Sequence, residues 1–419
     1  MLVDVLRAAL GVAFFCGVAA LLSTRRGRFP WRVVFVGLVL QVVLGIWTQE
    51  TESGRAFFGS IATFVGGLIE MAKPGAELVF GPLSKPEVLG PVFGGDNAFV
   101  FAFAGAGLPA IIFFSALMAV LYHFGVMQVV VWLLARVMSA TMRVSGAESM
   151  AMAANVFVGQ TEAPLVIRPY LARLTTSELN SLMVGGFATI AGSVLAVYMG
   201  MVGPEIGPHL LTASVMSAPA AFVIAKIMVP EVEQPSTSGV VELRIERNAS
   251  NVFEAAANGT SDGLKLWLNV LAMLIAFTAL VALVDWPLEA WFGTSLREVF
   301  GYVFAPVAWL MGVDGWHDCR MVGSLLGTKV AMNEFIAYSD MSKLLAVGSE
   351  VRFESMHSAK IAAYALCGFA NFASIGIQIG GIGALVPERR TDLAKLGLKA
   401  MIGGAFAACM TATIAGIFV

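Results

Sequence analysis

Residues 154–165 read ANVFVGQTEAPL. The stretch gathers a glycine, an amide, a hydroxyl, a carboxylate and a proline within six residues of an otherwise apolar segment. Gly159 loosens a helix and Pro164 is tolerated in the first turn of a new one, so the pattern predicts a helix that stops and restarts. At membrane depth such backbone must be buried in protein or line a wet cavity. The pattern therefore predicts a broken hairpin over residues 145–171 that enters the membrane without crossing it.

The composition supports a membrane setting for this hairpin. The chain has 419 residues, of which 58% are hydrophobic and 13% charged, and its mean hydropathy is +0.82. Soluble domains are typically about 45–50% apolar and about 25% charged, so the excess apolar surface requires lipid. The net charge is −2 and no basic tract is present, which gives no indication of a nucleic acid polymer as partner. The four cysteines are scattered, without a disulfide or zinc spacing.

Eight stretches have the length and apolarity that a transmembrane helix needs. They are residues 2–23, 33–48, 98–123, 179–200, 207–229, 264–286, 359–384 and 394–418. Three further stretches are amphipathic or charged and fit helices at the membrane interface, at 55–70, 125–142 and 296–312. The sequence therefore predicts an all-α polytopic membrane protein with eight transmembrane helices and interfacial helices.

The second half of the chain repeats the pattern of the first. Each half has an amphipathic stretch, a polar-interrupted hairpin (145–171 and 318–346), a span with a small-residue and polar centre, and a final span. Basic residues follow the first span and precede the fourth, and the positive-inside rule then puts both termini outside and the polar segment 230–263 in the cytoplasm. With this topology the two hairpins enter from opposite sides. Such an inverted repeat is the common plan of secondary transporters.

Two carboxylates mark the breaks in the two hairpins. A carboxylate at bilayer depth costs about 2.5–3.5 kcal/mol on insertion scales, so Glu162 and Glu334 are candidate functional residues. The structural alternative is a salt bridge between helices, for which Lys329 lies close to Glu334 in sequence.

Further polar residues stand at the same breaks and in the partner spans. Asn155, Asn333 and Asn371 are amides that either contact a ligand or join helices. Their neighbours in the sequence are also candidate site residues: Gly159, Gln160, Thr161, Phe369 and Ser374. Residues 175–178, Thr-Thr-Ser-Glu, predict a capping box that opens the fourth span, which puts Thr189 about halfway across the membrane.

At these residues the chain resembles the concentrative nucleoside transporter family. The resemblance rests on residues 154–165, on NEFIAY (333–338), on CGFAN (367–371) and on GGIGALVPERR (380–390), and it runs the length of the chain. It implies eight spans, two re-entrant hairpins, three interfacial helices and a homotrimer.

The resemblance also implies site residues. Gln160, Thr161 and Glu162 would read the nucleobase, with Val194 packed beside the base, and Glu334, Asn371 and Ser374 would hold the ribose. A carboxylate suits vicinal hydroxyls because it accepts two hydrogen bonds at once. The sodium site of the family maps to Asn155, Val158, Thr189 and Ile190.

The resulting hypothesis is a secondary active symporter that imports nucleosides such as uridine across the inner membrane, driven by sodium. It is not an enzyme and needs no cofactor beyond the coupling ion. The predicted division is scaffold spans with an interfacial helix (1–124), a first transport repeat (125–230), a cytoplasmic linker with span six (231–295) and a second transport repeat (296–419). The alternatives are a proton-coupled nucleoside or nucleobase transporter, and a membrane-embedded enzyme acting on a nucleoside or lipid.

Overall fold

The computed structural model describes residues 2–89, 91, 100–105, 107–237, 249–346 and 351–419. Within these ranges the chain forms eighteen α-helices and no β-strand. The helices before the first hairpin are α1 (Leu2–Leu21), α2 (Trp31–Gly45), α3 (Glu52–Phe80), α4 (Pro86–Leu89), α5 (Ala110–His123) and α6 (Val126–Met142). The all-helical membrane fold predicted from the sequence is confirmed.

The rest of the chain contains two sets of helices in the same order. The first set is α7 (Gly146–Asn155), α8 (Ala163–Val166), α9 (Thr176–Ala188), α10 (Gly192–Val202) and α11 (Gly207–Met228). A long helix, α12 (Val252–Phe292), and the amphipathic α13 (Leu296–Met311) follow. The second set is α14 (Trp316–Ala331), α15 (Glu334–Leu345), α16 (Met356–Leu366), α17 (Phe372–Leu385) and α18 (Arg390–Ala415). Each set has two hairpin arms, a span broken in the middle and an unbroken span.

Two sharp bends precede the hairpins, the first before the amphipathic α6 and the second between the amphipathic α13 and the hairpin arm α14. The pair α5 and α6 bends by 77° and the pair α13 and α14 by 111°. Glycines make both turns possible, since Gly125 has φ 82° and Gly312 has φ 107°, a region that side chains with a Cβ rarely adopt. Seven helices in the described ranges are long and apolar enough to cross a membrane, or nine when each bent pair counts as one span.

Local capping signals set the starts of the functional helices. The capping box predicted at Thr175 is confirmed, because its side chain accepts from the Glu178 N–H and the Glu178 carboxylate accepts from the Thr175 N–H. Ser145 and Glu148 form the same box at the start of α7. These boxes satisfy amides that the first turn of a helix leaves without partners.

The buried core lies in the repeats. In Thr176–Val202, 94% of the most apolar window is buried inside the protein, and in α11 the share is 89%. The share falls to 6% in α12 and 22% in Val3–Leu21, which present apolar side chains outward. An apolar outward face suits a helix that contacts lipid, whereas the small and polar residues of α9 and α16 require protein around them.

Several predicted boundaries change. Span six begins earlier than predicted, because α12 starts at Val252 and takes residues assigned to the linker, while 238–248 lie outside the described residues. The interfacial stretch 55–70 is part of the longer α3, whose length and composition would also allow it to span. The predicted span 98–123 contains a short π-helix at Val100–Ala104 and an α-helix from Ala110, while 98–99 lie outside the described residues. These differences arise because hydropathy marks the apolar centre of a helix and not its polar ends.

Candidate functional site

The tip of the first hairpin is shaped by its own carboxylate. Helix α7 ends at Asn155, and α8 begins after Glu162 with Pro164 in its first turn, as predicted. The Gly159 N–H donates to Glu162 Oε2 at 2.5 Å. A Cβ at position 159 would lie 2.6 Å from the same oxygen. Gly159 therefore allows the Glu162 carboxylate to pack against the backbone of the tip, where a side chain would leave no room for it.

The second hairpin presents a carboxylate with both oxygens held. Glu334 opens α15 and is 5% exposed. Its Oε1 accepts from the Tyr198 hydroxyl at 2.8 Å, and its Oε2 accepts from Asn371 Nδ2 at 3.0 Å. Each carboxylate oxygen has a second lone pair, so the group can still accept from two further donors. Asn333 caps α15 by accepting from the Ile336 N–H at 2.9 Å.

The two broken spans cross at their breaks. The first span leaves the helix at Thr189, which is extended, and resumes at Gly192. The second resumes at Phe372, where Asn371 caps the new helix by accepting from the Ser374 N–H at 2.9 Å. At Gly368 φ is +116°, and a Cβ there would lie 2.6 Å from the Phe187 carbonyl oxygen. Only glycine allows the two breaks to approach this closely.

A glutamine bridge joins the first hairpin to the second repeat. Gln160 Nε2 donates to Ser374 Oγ at 3.2 Å, and Gln160 Oε1 accepts from Gln378 Nε2 at 3.0 Å. Gln378 also donates to the Met183 carbonyl at 3.1 Å and is fully buried. Neither Gln378 nor Tyr198 is among the site residues predicted from the sequence. A buried amide inside an otherwise apolar helix was the available signal for Gln378.

One cavity of about 700 Å³ collects the predicted substrate residues. All ten line it: Gly159, Gln160, Thr161, Glu162, Val194, Asn333, Glu334, Phe369, Asn371 and Ser374. This volume lies in the range of about 300–1,000 Å³ that small-molecule sites occupy. Helices α5 and α12 complete the wall with further polar residues that were not predicted as site residues, among them Tyr122, Asn258 and Asn269. The arrangement can surround a small polar molecule and offer it carboxylates, amides and hydroxyls.

The four residues of the predicted ion site lie behind the hairpin tip. Asn155 is 1% exposed, and neither its amide oxygen nor its amide nitrogen has a hydrogen-bond partner in the described part of the chain. The Thr189 hydroxyl donates to the Gly185 carbonyl at 2.9 Å. Val158 lies at the edge of the cavity, and Ile190 is fully buried in the break. An amide oxygen, a hydroxyl and two backbone carbonyls are oxygen donors of the kind that a hard cation takes.

Packing places the Asn155 amide beside α9, and a backbone hydrogen bond ties the first hairpin to the break in the span. A Cβ at Gly185 would lie 3.0 Å from Asn155 Nδ2, so the amide faces α9 one turn before Thr189. The Gly192 N–H donates to the Phe157 carbonyl at 2.9 Å, which ties the hairpin to the break. No group of three or more His, Cys, Asp or Glu side chains that could hold a metal occurs among the described residues.

Lys329 does not form the salt bridge considered as the structural role of Glu334. Its Nζ donates to the carbonyls of Ala365 at 2.9 Å and Cys367 at 3.3 Å. Across the described ranges, the ion pairs within 4.0 Å do not include Lys329 with Glu334. The ammonium instead contacts the end of α16, because a helix C-terminus presents free carbonyls and the negative end of its dipole.

The fold and the cavity define a polytopic membrane transporter built from an inverted repeat, and comparisons with known proteins identify the family. Three family models match: "Na+ dependent nucleoside transporter N-terminus" over residues 10–83, "Nucleoside recognition" over 107–205 and "Na+ dependent nucleoside transporter C-terminus" over 209–416. A solved structure of CNTnw in an inward-facing substrate-bound state superposes with a TM-score of 0.93 at 41% identity, covering 100% of this chain and 98% of that one.

Proteins of similar sequence point to the same family. An uncharacterized transporter of Haemophilus influenzae is 43% identical and covers 99% of this chain and 98% of its own length. Sodium/nucleoside cotransporter 1 of Rattus norvegicus is 39% identical, covering 97% of this chain and 63% of that protein. The chain belongs to the concentrative nucleoside transporter family, whose models describe Na+ dependent nucleoside transporters.

Proposed function

We propose that this protein is a secondary active symporter that imports nucleosides, driven by a sodium gradient. The observation that carries the proposal is the cavity lined by all ten predicted substrate residues, with Glu334 fixed by two donors and still able to accept more. A ribose offers vicinal hydroxyl donors that match this carboxylate. The name of the rat relative, a sodium/nucleoside cotransporter, supports the same substrate and ion.

The two repeats take different parts of the nucleoside in this proposal. Glu334, Asn371 and Ser374 hold the ribose, since the Asn371 side chain donates to Glu334 and accepts from the Ser374 backbone N–H, which keeps the three residues together in the second repeat. The first hairpin contacts the base with Gln160, Thr161 and Glu162, and Val194 packs against the base from α10. Phe369 closes the cavity at the second break. An amide and a hydroxyl match the mixed donors and acceptors of a base edge.

Sodium is proposed to bind Asn155, Val158, Thr189 and Ile190. The buried amide of Asn155 supports this site, because burying unpaired polar groups costs free energy that an ion at the amide oxygen would offset. We also propose the division into scaffold (1–124), repeat 1 (125–230), linker with span six (231–295) and repeat 2 (296–419). The protein would sit in the inner membrane as a homotrimer with both termini in the periplasm.

Uptake of radiolabelled uridine into proteoliposomes tests the proposal. Accumulation should require an inward sodium gradient, and ribosides should compete more strongly than uracil. Uptake that follows a proton gradient and is independent of sodium would show that the coupling ion is the proton. Stronger competition by uracil than by ribosides would show that the substrate is a nucleobase. Recovery of chemically changed uridine from the vesicles would favour a membrane-embedded enzyme.

A further inference from the structure

The end of α16, in the second broken span, is satisfied from within the protein. The last carbonyls of a helix have no partners in the helix itself. Here the Tyr338 hydroxyl donates to the Ala363 carbonyl at 2.9 Å. Lys329 Nζ donates to the carbonyls of Ala365 and Cys367, at 2.9 and 3.3 Å. The break in the second repeat therefore already holds the side-chain nitrogen of Lys329 among its carbonyls.

The corresponding break in the first repeat differs. The Thr189 hydroxyl donates to the Gly185 carbonyl, but the carbonyls of Val158 and Ile190 accept no hydrogen bond from the described residues. The Asn155 amide is likewise without a partner among them. This break thus presents oxygens without an internal cation, at the place where the proposed function puts sodium.

The two hairpins carry similar carboxylates, but the second also has a buried lysine near its tip. Each hairpin carries one carboxylate at its tip, Glu162 in the first and Glu334 in the second. Lys329 is 1% exposed and lies five residues before Glu334 on the preceding arm. Burying an ammonium is unfavourable unless it is paired with a carboxylate or bound by carbonyls. Lys329 meets this condition at the C-terminal end of α16, where its Nζ contacts free carbonyls.

We propose that Lys329 is a tethered cation that takes, in the second repeat, the place that the exchangeable coupling ion takes in the first. This inference rests on the proposed function, since it concerns the ion and ribose sites proposed there. Lys329 is then a positioning residue: it fixes the carbonyls at the break from which Asn371 and Ser374 reach the substrate. The ribose half of the site is ordered without an ion, and sodium controls the base-reading half alone.

Lys329→Met tests the proposal, because it keeps most of the side-chain length and removes the ammonium. Uridine affinity is measured by calorimetry over a series of sodium concentrations. The wild type should show a slope near one in a plot of log affinity against log sodium concentration. K329M should bind about tenfold more weakly at low sodium, the scale of one lost charge-assisted hydrogen bond. Its slope should rise toward two as sodium enters the place of the ammonium.

Lys226→Met is the matched control. Lys226 is also buried, at 3% exposure, but it pairs with Glu148 at 2.7 Å at the base of the first hairpin. K226M should lower the melting temperature and leave the slope unchanged. If K329M does not assemble, K329Q serves the same test, since its amide still donates to a carbonyl.

Two results would overturn the inference. One is an unchanged slope and affinity in K329M, and the other is weaker binding with an unchanged slope, which would make Lys329 a structural support only. The rise of melting temperature with sodium gives a readout without nucleoside, and it should be steeper in K329M than in the wild type. Should the wild type bind no uridine, the proposed function fails, and this melting series still decides the role of Lys329.

Discussion

Replacing Glu334 by glutamine tests the proposed ribose site directly. The substitution keeps the size of the side chain but removes its charge and half of its acceptors. In the wild type one oxygen accepts from Tyr198 and the other from Asn371. In the variant an NH2 group must face one of these donors, so that contact is lost as well as an acceptor for a ribose hydroxyl.

The size of the effect follows from these contacts. A hydrogen bond to a charged group contributes about 1.5–3 kcal/mol, and the site loses at least one such bond to the substrate. A loss of about 3 kcal/mol corresponds to roughly a hundredfold weaker uridine binding. Leaving a buried Tyr198 or Asn371 donor unpaired adds a cost that the folded protein bears even without substrate.

Calorimetry of uridine binding to the purified variant measures this loss. Size-exclusion chromatography and a thermal melt establish that the variant assembles. Glu388→Gln is the matched control, because Glu388 is exposed and lies outside the cavity. The E388Q protein should bind uridine as the wild type does. Wild-type affinity in a folded E334Q protein would refute the ribose role. A variant that cannot fold would instead make Glu334 a structural residue.

Three further results are expected. Asn155→Ala should reduce the dependence of uridine affinity on sodium at least tenfold, because it removes the buried amide oxygen proposed for the ion. Equal wild-type affinity in sodium, potassium and choline would contradict that site. Gly368→Ala should lower stability by about 2 kcal/mol or more, since a Cβ would lie 2.6 Å from the Phe187 carbonyl at a φ of +116°; an unchanged melting temperature would count against the crossing. The particle mass in detergent and in nanodiscs should equal three chains, and a single-chain mass would reject the homotrimer.

Many helix starts and breaks can be predicted from the sequence, because the signals that set them lie within a few residues of each other. Gly159 and Pro164 mark the first break, and the Thr175–Glu178 box marks the start of α9. These signals act over three or four residues, so the sequence predicts them without knowledge of the packing. The length of α12 was not predictable in the same way, since its first turns are polar and are stabilised in place by an Asn251 cap.

The partners of the site residues could not be predicted, because they come from distant parts of the chain. Tyr198 reaches Glu334 across 136 positions, and Gln378 reaches Gln160 across 218. Neither pairing has a local pattern. Lys329 illustrates the same limit: sequence proximity favoured Glu334 as its partner, whereas the structure pairs it with carbonyls 36 and 38 positions away.

The proposed ion site and the proposed ribose site are joined by the backbone of residues 155–160 and a short chain of hydrogen bonds. Residues 155–158 lead into the hairpin tip, where Gln160 donates to Ser374 at 3.2 Å. The Ser374 N–H donates to Asn371, and Asn371 holds Glu334. An ion that orders the first hairpin therefore also fixes Gln160, and through Gln160 the start of α17. Since coupling between two binding equilibria is reciprocal, sodium should raise nucleoside affinity by the same factor as nucleoside raises sodium affinity.

This coupling decides how much work the gradient can do. One sodium ion moving inward at −100 mV contributes about 2.3 kcal/mol, and a tenfold concentration gradient adds about 1.4 kcal/mol. The sum of about 3.7 kcal/mol can sustain roughly 500-fold nucleoside accumulation. That limit is reached only when ion and nucleoside cross together, because either one crossing alone dissipates a gradient. In the proposed mechanism the ion orders the hairpin tip, and the bridge from Gln160 to Ser374 then favours the doubly bound state, which is the state that a symporter must carry.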